Sequence, residues 1–367
     1  MQVLCFSHLR WGFVYQRPQH LLSRFVSLGM VSVWEEPVYR NCESPLLEVS
    51  TSVEGVHVIT PVLPESDTSE ETLLAAQRTL VDQYVATQGI EDFVAWYYTP
   101  MALRFSDHLQ PSVIVYDCMD ELSAFKGAPP ALIEEEKRLF ERADVVFAGG
   151  ASLHAAKRTQ HKNVHLFPSS VDRAHFAKAR TALVEPSDQA QIPHPRVGFY
   201  GVLDERLDIE LLRDVARMHP EWHFVLIGPI VKVREEDLPH GDNLHYLGQK
   251  SYAELPAYLS HWDVAMLPFA RNASTRFISP TKTPEYLAGG KPVVSTPIQD
   301  VVKPYAESGL VRIGETAAEF AEAIEQSLTG HDAHWLEQVD VFLADNSWDS
   351  TFAGMWNEIQ RCKQLTS

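Results

Sequence analysis

The chain has 367 residues, 45% of them hydrophobic and 22% charged, with a formal net charge of −18. That length exceeds one ordinary core and predicts two domains of a globular protein, while the negative charge excludes a general nucleic-acid binder, which needs a basic face to displace counterions. Cys5, Cys42, Cys118 and Cys362 share no CxxC or metal-ligand spacing, so free thiols in a reducing cytoplasm are expected.

Met1 runs straight into apolar residues 3–6 without a basic leader, which predicts no signal peptide. No stretch approaches the roughly 20 apolar residues of a membrane span, so any membrane contact would be peripheral. Residues 1–34 hold Arg10, Arg17 and Arg24 and no acid, a local positive region that either faces anionic lipid or substrate or is ordinary surface charge.

Residues 3–7 read as a first buried parallel strand, followed by an aromatic loop over 8–17 and a helix from Pro18 with Leu21, Leu22, Phe25 and Leu28 at helical spacing. Strands are expected over 31–34, 56–63, 93–98, 113–118, 145–148 and 164–168, and helices over 70–87, 133–142 and 152–160. Residues 177–195 are polar, irregular and hold Pro186, Pro193 and Pro195, the pattern of a linker. A second alternating series follows. Its strands are expected over 197–200, 224–227, 244–247, 264–268, 292–296 and 310–313, with helices over 209–218, 252–259 and 317–328. Residues 348–363 predict an isolated amphipathic helix with Phe352, Met355, Trp356 and Ile359 on one face. Alternation of this kind predicts two doubly wound α/β halves with a cleft between them.

Ligands of open α/β sheets bind beyond the carboxyl ends of the strands, which makes the strand-end residues the candidates. In the stretch TRFISPTKTPEYLAGGKPVVST, residues 275–296, Ser279 is positioned to cap a helix beginning at Pro280, with Pro284 able to delay the start to Thr283. Lys282 then falls in the first turn, where cation and helix dipole suit a phosphate, and Glu285 lies one turn on. In GVLDER, Arg206 follows Gly201 toward the same place; its rival role is a salt bridge to Asp204 or Asp208. In the first half, YDCMDEL sets Asp117, Asp120 and Glu121 at a strand end, where a carboxylate could act as general base. Asp120 is equally a helix-cap candidate, and His8 is a rival base. The chain has no GxGxxG or Walker loop, and no HExxH spacing, so no metal site is expected.

The segments FYGVLDERLDIELL, FVLIGP, HYLGQKSYAELPAYLSHWDVAMLPF and STRFISPTKTPEYLAGGKPVVSTP resemble the group 1 (GT4-like) glycosyltransferases of GT-B fold. WGFVYQRPQHLLSRF, IVYDCMDELSAF and HLFPSSVDRAHF in the first half resemble a subgroup that builds bacterial surface polysaccharides, so the resemblance covers nearly the whole chain. It implies two Rossmann-like domains facing across a cleft. Residues 1–176 would take the acceptor side, 177–195 the linker, 196–347 the nucleotide-sugar side, and 348–367 a helix packing back on the first domain. It implies a metal-independent glycosyltransferase with no cofactor beyond a nucleotide-sugar donor, UDP-linked, with UDP-galactofuranose a candidate. The acceptor would be a saccharide or lipid-linked saccharide, and the location the cytoplasm, at the inner face of the membrane.

By the same resemblance Glu285 corresponds to the second glutamate of the family's Glu-x7-Glu motif, which holds the ribose. Lys282 and Arg206 correspond approximately to the diphosphate-binding cations, with Gly201, Ser279 and Thr281 beside them. The family's Gly-Arg is here Gly201-Val202 followed later by Arg206-Leu207. Phe277 stands where the first glutamate would touch the donor sugar, which leaves donor identity and the usual retaining mechanism open. Asp120, Asp117 and His8 are the catalytic candidates; Asp120 as base would suit a single inverting displacement. A nucleotide-sugar epimerase of the same fold and a non-catalytic polysaccharide-binding scaffold remain as alternatives.

Overall fold

Short β-branched and aromatic runs form two separate sheets in the computed structural model, which describes residues 1–65, 69–329 and 333–366. The first sheet contains β1 (Gln2–Phe6), β2 (Met30–Trp34), β3 (Val38–Arg40), β4 (Leu46–Thr51), β5 (His57–Pro64), β6 (Phe93–Tyr97), β7 (Val113–Cys118), β8 (Val145–Ala148) and β9 (Val164–Leu166), ordered β3-β5-β2-β1-β6-β7-β8-β9 with β4 pairing β5. The second contains β10 (Arg196–Tyr200), β11 (His223–Ile227), β12 (Leu244–Tyr246), β13 (Val264–Leu267), β14 (Val293–Ser295) and β15 (Val311–Ile313), ordered β12-β11-β10-β13-β14-β15.

Every ladder is parallel except β4 on β5. Parallel strands carry helices on both faces, and β1 shows the consequence. Leu4 and Phe6 enter one apolar cluster, Val3 and Cys5 the other, and all four are buried. In each sheet the strand order reverses at the first strand, between β1 and β6 and between β10 and β13. Those two reversals are where a doubly wound sheet leaves a crevice. The two-domain GT-B architecture expected from sequence is therefore the one found.

The predicted helix over 348–363 runs as Trp348–Thr366 and returns to the first domain. Trp348, Met355 and Ile359 are buried among Val3, Leu21 and Phe25, and Phe352 meets Phe25 edge-on at 4.7 Å. Each such buried side chain contributes about 1.5–3 kcal/mol, enough to hold the helix to a domain remote in sequence. Three features escaped the sequence reading. Residues 35–51 include β3 and β4, whose mostly exposed side chains give no apolar alternation to read. A helix covers Ala333–Phe342, and a kinked helical segment crosses 299–306.

Residues 177–195 connect the sheets and lie against the second one. Ala179 and Ile192 join its core, and Gln189 is fully buried, accepting from Trp262 Nε1 at 2.9 Å and donating to the Tyr258 carbonyl at 3.2 Å. The segment is irregular because its prolines interrupt regular hydrogen bonding, yet its polar backbone course is anchored by that amide. The predicted domain spans also include residues 66–68, 330–332 and Ser367, which lie outside the described residues.

Candidate active site

The second sheet builds the floor of a cavity of ≈ 540 Å³ from Gly201 and Gly228, at the ends of β10 and β11. A Cβ on Gly228 would fall 1.8 Å from the Gly201 carbonyl oxygen, which excludes a side chain there; at Gly201 a φ of 153° strains any other residue, and a Cβ would press on Cε of Lys282 at 3.0 Å. The absence of side chains lets Lys282 lie over bare backbone, the arrangement a bulky anion requires for close approach.

Lys282 opens the helix Lys282–Ala288. The expected cap at Ser279 is not made: the helix starts two residues later than a Pro280 start, and Thr281 before it makes no side-chain capping bond. Pro284 falls within the first turn, where its missing N–H costs nothing, so it does not push the start to Thr283. Ser279 is instead turned to the first domain, its Cβ so close to Gly150 that a Cβ there would sit 2.8 Å away. Ser279 is not on the cavity wall; Thr281, Lys282 and Glu285 are.

Among the described residues Lys282 Nζ hydrogen-bonds the Thr281 hydroxyl alone, at 3.3 Å, and burial lowers its pKa. Glu285 is 8% exposed, and burial raises its carboxyl from the usual 4.5 to about 7, against the pull of Lys282 and Tyr200. The buried Thr283 hydroxyl, off the cavity wall, has no hydrogen-bond partner among the described residues. Arg206 is held by Asp204 through Nε (2.9 and 3.1 Å) and Nη2 (2.7 Å), which realises the rival salt bridge. The pairing leaves Nη1 without a hydrogen bond among the described residues and sets the guanidinium over Phe125 of the first domain, 5.5 Å from its ring.

The first domain supplies the opposite wall through the loop after β1, with Trp11, Phe13 and Tyr15 facing Tyr252 and Gln249. Tyr15 stacks on Tyr252 at 4.9 Å, and the Gln249 amide donates to the Phe13 carbonyl. Buried Glu35 pins this loop by accepting from Trp11 N at 2.6 Å and Arg10 at 3.0 Å. Gln19 holds its other end, donating to the Trp11 carbonyl at 2.7 Å and accepting from Gln16 N at 3.0 Å.

Of the carboxylates after β7, Asp120 is partly exposed and near enough to Arg206, Lys282 and Arg17 for each to favour its charge against the raising effect of burial. It caps no helix: the short turn Leu122–Ala124 follows Glu121 with no side-chain cap. Asp117 is 0% exposed and tied to Arg17 Nη2 at 2.8 Å and Nε at 3.1 Å, so no oxygen of it reaches the cleft. His8 is half-buried, and burial with nearby Lys232 lowers its pKa to about 4, leaving it neutral near pH 7 with Nδ1 unpartnered among the described residues. Asp120, Arg206, Lys282 and Glu285 thus come together, while Asp117 stays beneath them.

Sequence reasoning missed Lys232 and Phe125. Lys232 adopts φ 61°, the one non-glycine residue with positive φ among the described residues, and lies over the Phe125 ring at 5.3 Å. Strain of this kind gathers at functional sites, but a lysine's φ carries no sequence signal. Among the described residues no group of three or more His, Cys, Asp or Glu could hold a metal, and no helix is long and apolar enough to cross a membrane.

Residues 194–330 match the family model of glycosyl transferases group 1. TuaH of Bacillus subtilis (strain 168), which carries the name of a teichuronic acid biosynthesis glycosyltransferase, is 26% identical over 255 residues, 64% of this chain and 63% of that protein. Three solved structures share the fold along almost the whole of both chains. The E. coli trehalose-6-phosphate structure bound with UDP-2-fluoro glucose has a TM-score of 0.73 at 13% identity, covering 99% of each chain. Sucrose-phosphate synthase from Thermosynechococcus elongatus has 0.70 at 17%, covering 99% of this chain and 98% of that one. Anabaena HepE in complex with UDP and glucose has 0.69 at 14%, covering 98% and 99%.

Proposed function

We propose that this chain, a group 1 glycosyltransferase of GT-B fold, moves a sugar from a UDP-linked donor onto a saccharide or lipid-linked saccharide in bacterial surface polysaccharide synthesis. UDP-galactofuranose is the candidate donor, and the cytoplasmic face of the membrane the place of reaction. The observation that carries the reading is Lys282, half-buried and with no ion pair among the described residues, lying over Gly201 beside the buried Glu285. The name of TuaH supports a role in polysaccharide synthesis, and the complexes with UDP or a UDP-sugar support the donor class.

In this mechanism the diphosphate lies on the glycine floor against Lys282, and Glu285 accepts hydrogen bonds from the ribose hydroxyls. The acceptor hydroxyl oxygen attacks the anomeric carbon as the bond from that carbon to the diphosphate oxygen breaks. Asp120 takes the hydroxyl proton. The charge that develops on the leaving nucleotide is met by Lys282 and Arg206, cations fixed before the reaction and partly shielded from water. Burial of Asp120 opposes its charge, while the surrounding cations keep the carboxylate available as a base.

The test is protection by UDP against thermal unfolding, together with UDP release from UDP-sugar in the presence of acceptor extract. Lys282→Ala and Glu285→Ala should each abolish protection, a loss of at least about tenfold in affinity for one charge-assisted contact. Asp120→Asn should retain protection and lose UDP release. Full protection in both alanine variants overturns the donor site.

A further inference from the structure

A second cavity, of ≈ 340 Å³, opens at the strand-order reversal of the first sheet, where Ser7 and Thr99 follow β1 and β6. Its volume lies at the lower end of small-molecule sites, about 300 Å³ upward. Trp34, Phe105 and Met101 give it apolar surface, and Tyr39, Glu36 and Gln77 add polar groups. We infer that this cavity is an acceptor subsite that holds a neutral sugar ring and rejects phosphate- or carboxylate-bearing sugars; the word acceptor rests on the transferase reading above.

Its charges decide the ligand class. Four lining residues are ionic. Arg104 is paired with Glu70, and Glu35 with Arg10 at 3.0 Å, which leaves Glu36 with no ion pair among the described residues. Among the lining residues no cation is unpaired, and an acidic sugar would meet the Glu36 carboxylate, whose charge nearby Arg10 and Lys232 favour. A neutral sugar donates its hydroxyls to that carboxylate and lays its C–H face on aromatic rings.

One hydrogen bond links the two cavities: Glu35 lines this one and accepts from the backbone N–H of Trp11, which lines the proposed donor cavity.

The test uses the full chain saturated with UDP, with binding read by saturation-transfer NMR and calorimetry. The probes are methyl β-D-glucopyranoside and methyl β-D-galactopyranoside against glucose 6-phosphate and glucuronate. At least one neutral glycoside should bind and the acidic sugars should not. Glu36→Gln and Tyr39→Ala, both at exposed positions, should each weaken that binding about tenfold, the scale of one hydrogen bond to a charged group or one ring contact. UDP affinity should stay within about twofold, as expected for separate sites. Failure of both neutral glycosides to bind, acidic sugars binding as well or better, or unchanged binding in both variants overturns the inference. Loss of UDP binding with glycoside binding intact would instead overturn the donor reading, so the two failures are distinguishable.

Discussion

The two sheets repeat one topology and open a cavity at the same topological point, but they furnish it with opposite charge. At the reversal of the second sheet lie bare glycine backbone and the unpaired cation Lys282. At the reversal of the first lie aromatic surface and the unpaired carboxylate Glu36. Strand order makes the hole, and the few side chains at the strand ends select its occupant. The buried charges differ in the same way. In the first half Arg17 and Asp117 pair and serve the fold, whereas in the second the buried Glu285 and the half-buried Lys282 make no ion pair among the described residues.

Breaking that contrast at its strongest point means Arg17→Ala. It strands the Asp117 carboxylate at 0% exposure and also removes the guanidinium bond to the Phe167 carbonyl. A loss of about 3–5 kcal/mol is expected, read as a lower midpoint in urea unfolding. A cost below about 1 kcal/mol, the range of surface pairs, would mean that the two kinds of charge are not different after all.

Glu285→Gln sharpens the contrast from the other side. The folded pKa of Glu285, about 7, lies above its usual 4.5, so the folded state holds the proton more tightly. Its stabilising contribution is full below about pH 4.5 and is lost as pH rises through about 7. The Gln variant should therefore gain on the native chain by about 3 kcal/mol between those limits, and hold that lead above them. Chemical denaturation of both chains at pH 4.5, 6 and 8, without nucleotide, checks it; a constant difference across pH would refute it.

The smallest effect concerns the seam between the regions. Tyr252→Ala removes the stack on Tyr15 and the contact with His175 at 4.4 Å. With the edge contacts to His20 and Phe176 also lost, it should cost about 2 kcal/mol in stability and increase proteolytic cutting in the loop after β1. Unchanged cutting would mean that Glu35 and Gln19 hold that loop alone.

Much of the fold was readable because buried strands and amphipathic helices write their period into the chain. Glu70–Thr87, Val113–Cys118, Ile209–Met218 and Ala317–Leu328 begin and end where their apolar spacing does. The exposed excursion of β3 and β4 has no such period and was not readable. Lys282, Glu285, Asp120 and Arg206 could be nominated because strand-end position follows from strand boundaries. Their division of labour could not. Asp117 and Asp120 are three residues apart in one acidic run, yet one is sealed against Arg17 and the other faces three cations.

What the sequence by itself determined is the alternation of elements, hence two doubly wound sheets, an amphipathic terminal helix and a short list of strand-end residues. These depend on local periodicity, which survives without knowledge of neighbours. Only the tertiary structure decided which charges are neutralised: Arg17 by a carboxylate one hundred residues away, Arg206 by Asp204, and Lys282 by no ion pair among the described residues. Burial and pairing are properties of the assembled surroundings, and local periodicity does not carry them.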